Sequence, residues 1–353
     1  MLSAYRRALH EIPELDRRLP ETAAYLRQCL MPLGCTLFSP WADAVCAYFD
    51  FHRTETVAFR SDMDALPITE ATGLSFASRH PGCMHACGHD GHMAILLGLA
   101  QYLSAPEEVP PFNVLLIFQP AEETTGGAAA ICRSGVLEQY HVTRIYGLHL
   151  WPSLPKHCVA SRAGGMMARS CELTAEIYGK SVHLARYHEG SDALLAATEL
   201  IRRLYTLAEG KPCLLRFGRM ESGSARNAVS GYSRLEGSLR CFDDTVFSAL
   251  WAQAEVIAAE VAAQYGATVT LDRSEGYPPV TNDAALLAQA RQRFPVAQVE
   301  PTFITEDFSE YQLRVPGVFF LLGTGGTALH SPEFDFDEAV LQTGVSLFRA
   351  LLR

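Results

Sequence analysis

The sequence predicts an α/β domain, a mixed sheet flanked by helices, into which a smaller α+β domain is inserted. Three observations predict it. Residues 112–119 and 144–150 are continuous apolar runs of strand length, the pattern of strands buried on both faces. Each run ends in polar residues with chemistry to offer, Glu122-Glu123 after the first and His149 within the second. Beyond Gly164-Gly165 the pattern changes to strand, helix, strand, strand, helix, strand, the order of an antiparallel sheet with two helices on one face.

The elements follow in order. Residues 2–33 read as two helices, the second opened by Pro20 at a first helical position and closed by Gly34. Residues 44–51 and 55–60 read as a pair of strands leading into Ser61-Asp62-Met63-Asp64, two aspartates at a strand end. Residues 93–103 are helical by apolar spacing, with a start near Asp90, and residues 128–134 form a further helix after Gly126-Gly127. In the insertion, 171–178, 213–219, 231–242 and 267–273 are strands, and 191–207 and 247–265 are helices. A helix and a strand at 317–322 then return the chain to the first domain. The expected boundaries are 1–165 and 276–353 for the α/β domain and 166–275 for the insertion.

Composition narrows the function. Acidic residues outnumber basic ones, 39 against 29, for a formal charge of -10, which argues against a nucleic-acid or anionic-membrane partner. A small anionic substrate stays open, because local arginines can bind it. The first residues lead into a charged segment without the apolar core of a signal peptide, and no apolar run is expected to span a bilayer, so the expected location is the cytosol. The ten cysteines are scattered singly, as small buried hydrophobes are in a reducing compartment.

Cys87 is the exception. The stretch His85-Ala86-Cys87-Gly88-His89-Asp90-Gly91-His92 gathers a thiol, imidazoles and a carboxylate just before an apolar helix. By itself it is a metal site, a thiol-based catalytic site with His89 or His92, or an accident. Neighbouring side chains on near-extended backbone point apart, so of Glu122 and Glu123 one can bind a metal while the other faces a water beside it. His149 and His330 each end an apolar strand and are followed within a few residues by proline. Cys87, His89, Glu123, His149 and His330 are five donors, too many for one tetrahedral ion and reasonable for two sharing bridging groups.

The runs 60–68, 84–92, 118–123, 305–308 and 329–332 together resemble the bacterial aminoacylase/hippurate hydrolase amidohydrolases, dinuclear metallopeptidase-like enzymes that cleave N-acyl amino acids. The resemblance implies two divalent ions (zinc, manganese, cobalt or nickel) on Cys87, His89, Glu123, His149 and His330. It implies that Glu122 is the general base, which activates water and later protonates the leaving amine, and that Asp64 is an orienting carboxylate. It makes the insertion a lid that pairs with its copy in a homodimer, with His183 holding the oxyanion and Asn227 and Arg240 holding the substrate carboxylate. His85, Asp90 and His92 are left to orient the ligands. The lid motif departs from the family's usual form, with Ser181-Val182 where glycines precede the histidine. Within the family, residues 66–87 are most similar to N-acetyldiaminopimelate deacetylases, which implies N-acetyl-LL-diaminopimelate as substrate. A broader N-acyl amino acid hydrolase and a catalytically inactive metal-binding protein on the same fold are the alternatives.

Overall fold

The computed structural model describes residues 1–353. Contacts divide the chain into two units, Met1–Gly164 with Thr281–Glu300 and Asp307–Arg353, and Gly165–Val280 with Pro301–Glu306. The segment Pro301–Glu306 falls with the second unit because Met166, Ala168 and Thr302 exchange backbone hydrogen bonds and Phe242 stacks on Phe303.

In chain order the first unit opens with α1 (Leu2–His10), α2 (Pro20–Leu30), β1 (Thr36–Phe38), β2 (Val45–Phe49), β3 (Thr56–Asp62) and α3 (His89–Ser104). It continues through β4 (Asn113–Gln119), α4 (Gly127–Arg133), α5 (Val136–Gln139), β5 (Val142–Trp151) and β6 (Val159–Ser161). The inserted stretch holds β7 (Gly164–Met167), β8 (Glu172–Tyr178), α6 (Ala193–Ala208), β9 (Cys213–Ser222), β10 (Tyr232–Cys241), α7 (Asp244–Tyr265), β11 (Thr268–Arg273) and β12 (Val280–Asn282). The return comprises α8 (Ala284–Arg293), β13 (Ala297–Gln298), α9 (Ser309–Gln312), β14 (Gly317–Gly323) and α10 (Val340–Leu351).

The first unit is built on an eight-stranded mixed sheet in the order β1-β2-β4-β3-β5-β14-β6-β13. Its centre, β4-β3-β5-β14, is parallel, so these four strands end on one edge and deliver Asp62, Gln119, Trp151 and Gly323 to the same side. The expected pair β2 and β3 do not pair with one another. The more apolar β4 takes the place between them, antiparallel to β2 and parallel to β3.

α3 starts at His89, one residue before the expected start near Asp90, and is buried through Ala100. Gly88, at φ +87°, makes this start possible, since it turns the chain from Cys87 into the helix, and a Cβ there would stand 3.1 Å from Leu150 Cδ1. Cys87 and His89, on either side of Gly88, therefore face one point.

The second unit is a four-stranded antiparallel sheet, β11-β8-β10-β9, whose core is filled from α6 and α7. Both helices start on aspartate caps, Asp192 accepting from the N–H groups of Leu194 and Leu195, and Asp243 from those of Thr245 and Val246. One expectation is corrected here. The 22-residue α7 is long and apolar enough by composition to cross a membrane. One stripe of it, Phe247, Leu250, Trp251, Ala254, Ala258 and Val261, is buried in this unit's core.

Candidate metal centre

The parallel strand ends and the start of α3 bring Cys87, His89, Glu122, Glu123, His149 and His330 together. Sγ of Cys87 is 3.3 Å from Nε2 of His149 and 3.3 Å from Nε2 of His330. Glu123 Oε1 lies 3.4 Å from His330 Nε2 and 3.9 Å from His89 Nε2. Three overlapping triads result: Cys87 with His89 and His149, Cys87 with Glu123 and His330, and His89 with Glu122 and Glu123.

Two of the imidazoles are fixed from behind. His89 donates from Nδ1 to the Asp64 carbonyl at 2.7 Å, and His149 from Nδ1 to the Leu150 carbonyl at 2.6 Å. A neutral ring that donates from Nδ1 presents a lone pair at Nε2. His149 is held neutral, since burial, with His92 beside it, pushes its pKa down to about 3. Burial alone would raise the Glu123 carboxyl, but the imidazoles of His330 and His89 facing it outweigh that and hold the pKa down to about 2.

Asp64 acts on the carboxylate pair through the backbone. Its Oδ1 accepts the Glu122 N–H and its Oδ2 the Glu123 N–H, both at 3.0 Å. This clamp follows directly on Ala121, which has φ +62°, a left-handed conformation costly for a residue with a Cβ. Gly127 closes the same loop from the other end, since a Cβ there would meet the Pro120 carbonyl at 1.9 Å. His330 also lies on left-handed backbone, at φ +62°, with its N–H bonded to the Ala86 carbonyl at 2.8 Å.

The donor set passes a chemical test for a cation. His89 Nε2 and Glu123 Oε1 are buried and make no hydrogen bond, a costly state unless something with positive charge lies between them. The thiol reading meets the opposite difficulty. Burial, and then the charges of Glu123 and Glu122, push the Cys87 pKa well up, so without a cation this sulfur is a poor nucleophile.

Comparisons with known proteins give the chain a family. Residues 58–353 match the model of peptidase family M20/M25/M40. The chain belongs to that family. This M20 chain is 32% identical to the N-acetyldiaminopimelate deacetylase of Shouchella clausii, over 98% of its own length and 96% of the relative's. It is also 32% identical to the N-acetyl-L-cysteine deacetylase of Bacillus subtilis, over 100% of its own length and 88% of that protein's. The crystal structure of Bacillus subtilis YxeP, named a dinuclear metal-binding peptidase from the M20 family, superposes with a TM-score of 0.89 at 32% identity, covering 99% of this chain and 96% of that one. The M20 chain is a metal-dependent amidohydrolase.

Three of the expected site residues lie in the second unit of the M20 chain. His183 and Asn227 are neighbours there, His183 bridging to Ala228 and the Asn227 carbonyl accepting the Leu184 N–H at 2.9 Å. Asn227 precedes β10, whereas Arg240 is near its far end, roughly 25 Å from Tyr232 at its start by strand rise, with Nη1 2.6 Å from the Phe303 carbonyl. One copy of the unit thus does not bring Asn227 and Arg240 together.

Two further findings concern the groups expected to orient the ligands. Asp90 hydrogen-bonds no ligand side chain. It is buried against Arg6 Nε at 3.0 Å and His10 Nδ1 at 2.8 Å, so it ties α1 to the first turn of α3. His85 is buried with neither ring nitrogen hydrogen-bonded. The residue that sequence reasoning passed over is Asp62, fully buried, with Oδ2 3.7 Å from His89 Nε2. Its signal was available, since residues 62 and 64 sit two apart at the end of a strand and share a face.

Proposed function

We propose that the chain hydrolyses the amide bond of an N-acetylated amino acid with two divalent cations bound at Cys87, His89, Glu123, His149 and His330, and that N-acetyl-LL-diaminopimelate is its substrate. The observation that carries the reading is the convergence of five donors of mixed type on one point, with the histidines at 89 and 149 tied back so that their free nitrogens face it. Bound there, the cations would supply Lewis acidity to the amide carbonyl and to water. Thiolate, imidazole and carboxylate together suit zinc, manganese, cobalt or nickel.

Glu122 is the base in this reading. It takes a proton from water as the water oxygen bonds to the carbonyl carbon, and gives that proton to the amide nitrogen as the C–N bond breaks; the acid formed passes its remaining proton to the freed amine, leaving acetate and the ammonium form. Asp64 aims it by holding its backbone N–H. The chain acts in the cytosol as a homodimer paired through the inserted unit. The distance between Asn227 and Arg240 within one copy supports a dimer, in which His183 and Asn227 of one copy serve with Arg240 of the other.

The name of the Bacillus subtilis relative supports a second, broader reading, hydrolysis of other N-acyl amino acids. Both are tested by assaying the metal-loaded protein on N-acetyl-LL-diaminopimelate, N-acetyl-L-cysteine and hippurate, with and without chelator. The expected result is turnover of the first substrate above the others, lost with chelator and restored by divalent ions. Preference for another substrate overturns the specific reading, and chelator-resistant turnover abolished by a thiol alkylator overturns the metal-centred one.

A further inference from the structure

His92 stands one helical turn after His89 on α3, and with Asp62 the two rings form a compact trio of ligand-type side chains. By residue type alone this trio is another metal triad. The hydrogen bonds exclude His92 from it. Its Nε2 lies 2.8 Å from the backbone nitrogen of Leu150, and a backbone N–H can only donate, so Nε2 is the acceptor. The proton of the neutral ring is therefore on Nδ1, which donates to Asp62 Oδ1 at 2.6 Å. Both nitrogens are committed, and no lone pair is left for a cation.

What the ring does instead follows from where β3 stops. β3 accompanies β5 only as far as Arg60 opposite Gly147, whereas β14 accompanies it to Trp151. On the β14 side the Ile145 N–H donates to Pro316 and the Trp151 carbonyl accepts from Thr324. Strand alternation then turns the N–H and C=O of Leu150 to the side that β3 has left. His92 accepts that N–H, and the Leu150 carbonyl takes His149 Nδ1 at 2.6 Å.

We propose that Asp62 and His92 are positioning residues, a carboxylate–imidazole pair that stands in for the missing strand at Leu150 and so fixes the His149 ring toward Cys87. Arg60 backs the pair, with Nη1 2.9 Å from Asp62 Oδ2, and is itself held by Asp307 at 2.7 Å and Gln119 at 2.9 Å. The pair acts on the ligand through one peptide unit. The inference rests on the two-cation reading for what His149 does, but not for the geometry that holds it.

The test titrates metal-free protein with Co²⁺ by calorimetry and absorption, and measures hydrogen exchange at the Leu150 amide, in the wild type, His92→Phe and His92→Gln. Phe keeps the bulk of the ring and neither hydrogen bond, whereas Gln keeps an acceptor. In His92→Phe the ion served by His149 is expected to bind roughly 10–100-fold more weakly, with the other ion little changed. Exchange at Leu150 is expected to accelerate without metal, and His92→Gln to recover much of both. The sulfur-to-cobalt charge-transfer band persists throughout. Unchanged exchange at Leu150 in His92→Phe overturns the inference, as does complete loss of one ion with Gln no better than Phe, which would make His92 a ligand. A wild type that binds no Co²⁺ yet shows the exchange effect would sink the two-cation reading and leave the pair standing.

Discussion

The two histidines that reach the cluster from outside α3 are held in opposite ways. His149 is buried, its ring tied by Nδ1 to the next carbonyl and its pKa pushed down to about 3, so at neutral pH its lone pair is already presented. His330 is half exposed at 52% and fixed at its backbone by Ala86, and the Glu123 carboxylate 3.4 Å from its Nε2 raises its pKa. A cation meeting His149 finds a formed site, whereas one meeting His330 finds a half-exposed ring whose Nε2 already faces the Glu123 carboxylate. Within one cluster, then, one side is organised before binding and the other is organised by it.

The largest predicted effect removes the atom the two sides share. Cys87→Ala takes away the sulfur that is 3.3 Å from both histidines. Both ions should become weak, so metal analysis after desalting should find neither and turnover should fall to background. Retention of one tightly bound ion would show that the sides are independent. Glu122→Gln comes next. It leaves every donor of the two outer triads in place, so two ions should remain while turnover falls by roughly 10²–10⁴-fold. Near-normal turnover in the metal-loaded variant would refute its role as base.

A smaller effect tests the asymmetry directly. His149→Ala should lose an ion that excess metal does not restore, because a buried, tied ligand has no replacement from solvent. His330→Ala should lose an ion on desalting and regain most activity in millimolar metal, water taking the place of an exposed ring. Equal behaviour of the two variants in a metal-concentration series would break the comparison.

The preorganised side was the more legible one in the sequence. Glu122, Glu123 and His149 stand at the ends of strongly apolar strands, which a parallel arrangement delivers to one edge, and Cys87 and His89 stand where an apolar helix begins. His330 follows an apolar strand too, and its residue type at that place counted it among the five donors. What holds these residues was hidden, because it depends on register and on distant chain. That β3 stops before β5 does, leaving Leu150 to His92, cannot be read from either strand alone. The placing of β4 between β2 and β3 is a choice among pairings that apolar pattern does not make. The contacts of Arg6 and His10 with Asp90 join positions 80 or more residues apart, and α1 gave no sign of them beyond its polar face.

That last contact carries the smallest predicted effect and bears on the organised side alone, since Asp90 lies in the first turn of α3 beside His89. His10 is buried between two carboxylates, with Nδ1 2.8 Å from Asp90 and Nε2 3.3 Å from Glu70. Burial alone would depress its pKa, but the hydrogen bond and charge of Asp90, helped by Glu70, outweigh that and raise it above 6.5. A folded-state value above the unfolded one gives stability that is complete below about pH 6.5 and is lost as pH rises through the folded value. Asp90 works in the opposite sense. Its depressed value gives stability that is complete above its unfolded value near 3.8 and is lost only below that, so it adds no slope in the alkaline range. The urea midpoint of the metal-free wild type should therefore fall as pH is raised from 6.5 toward 9, while that of His10→Gln, which keeps Arg6 on Asp90, should fall less over the same range. Parallel curves would mean that His10 is neutral in the folded state and that Arg6 alone holds the charge at the start of α3.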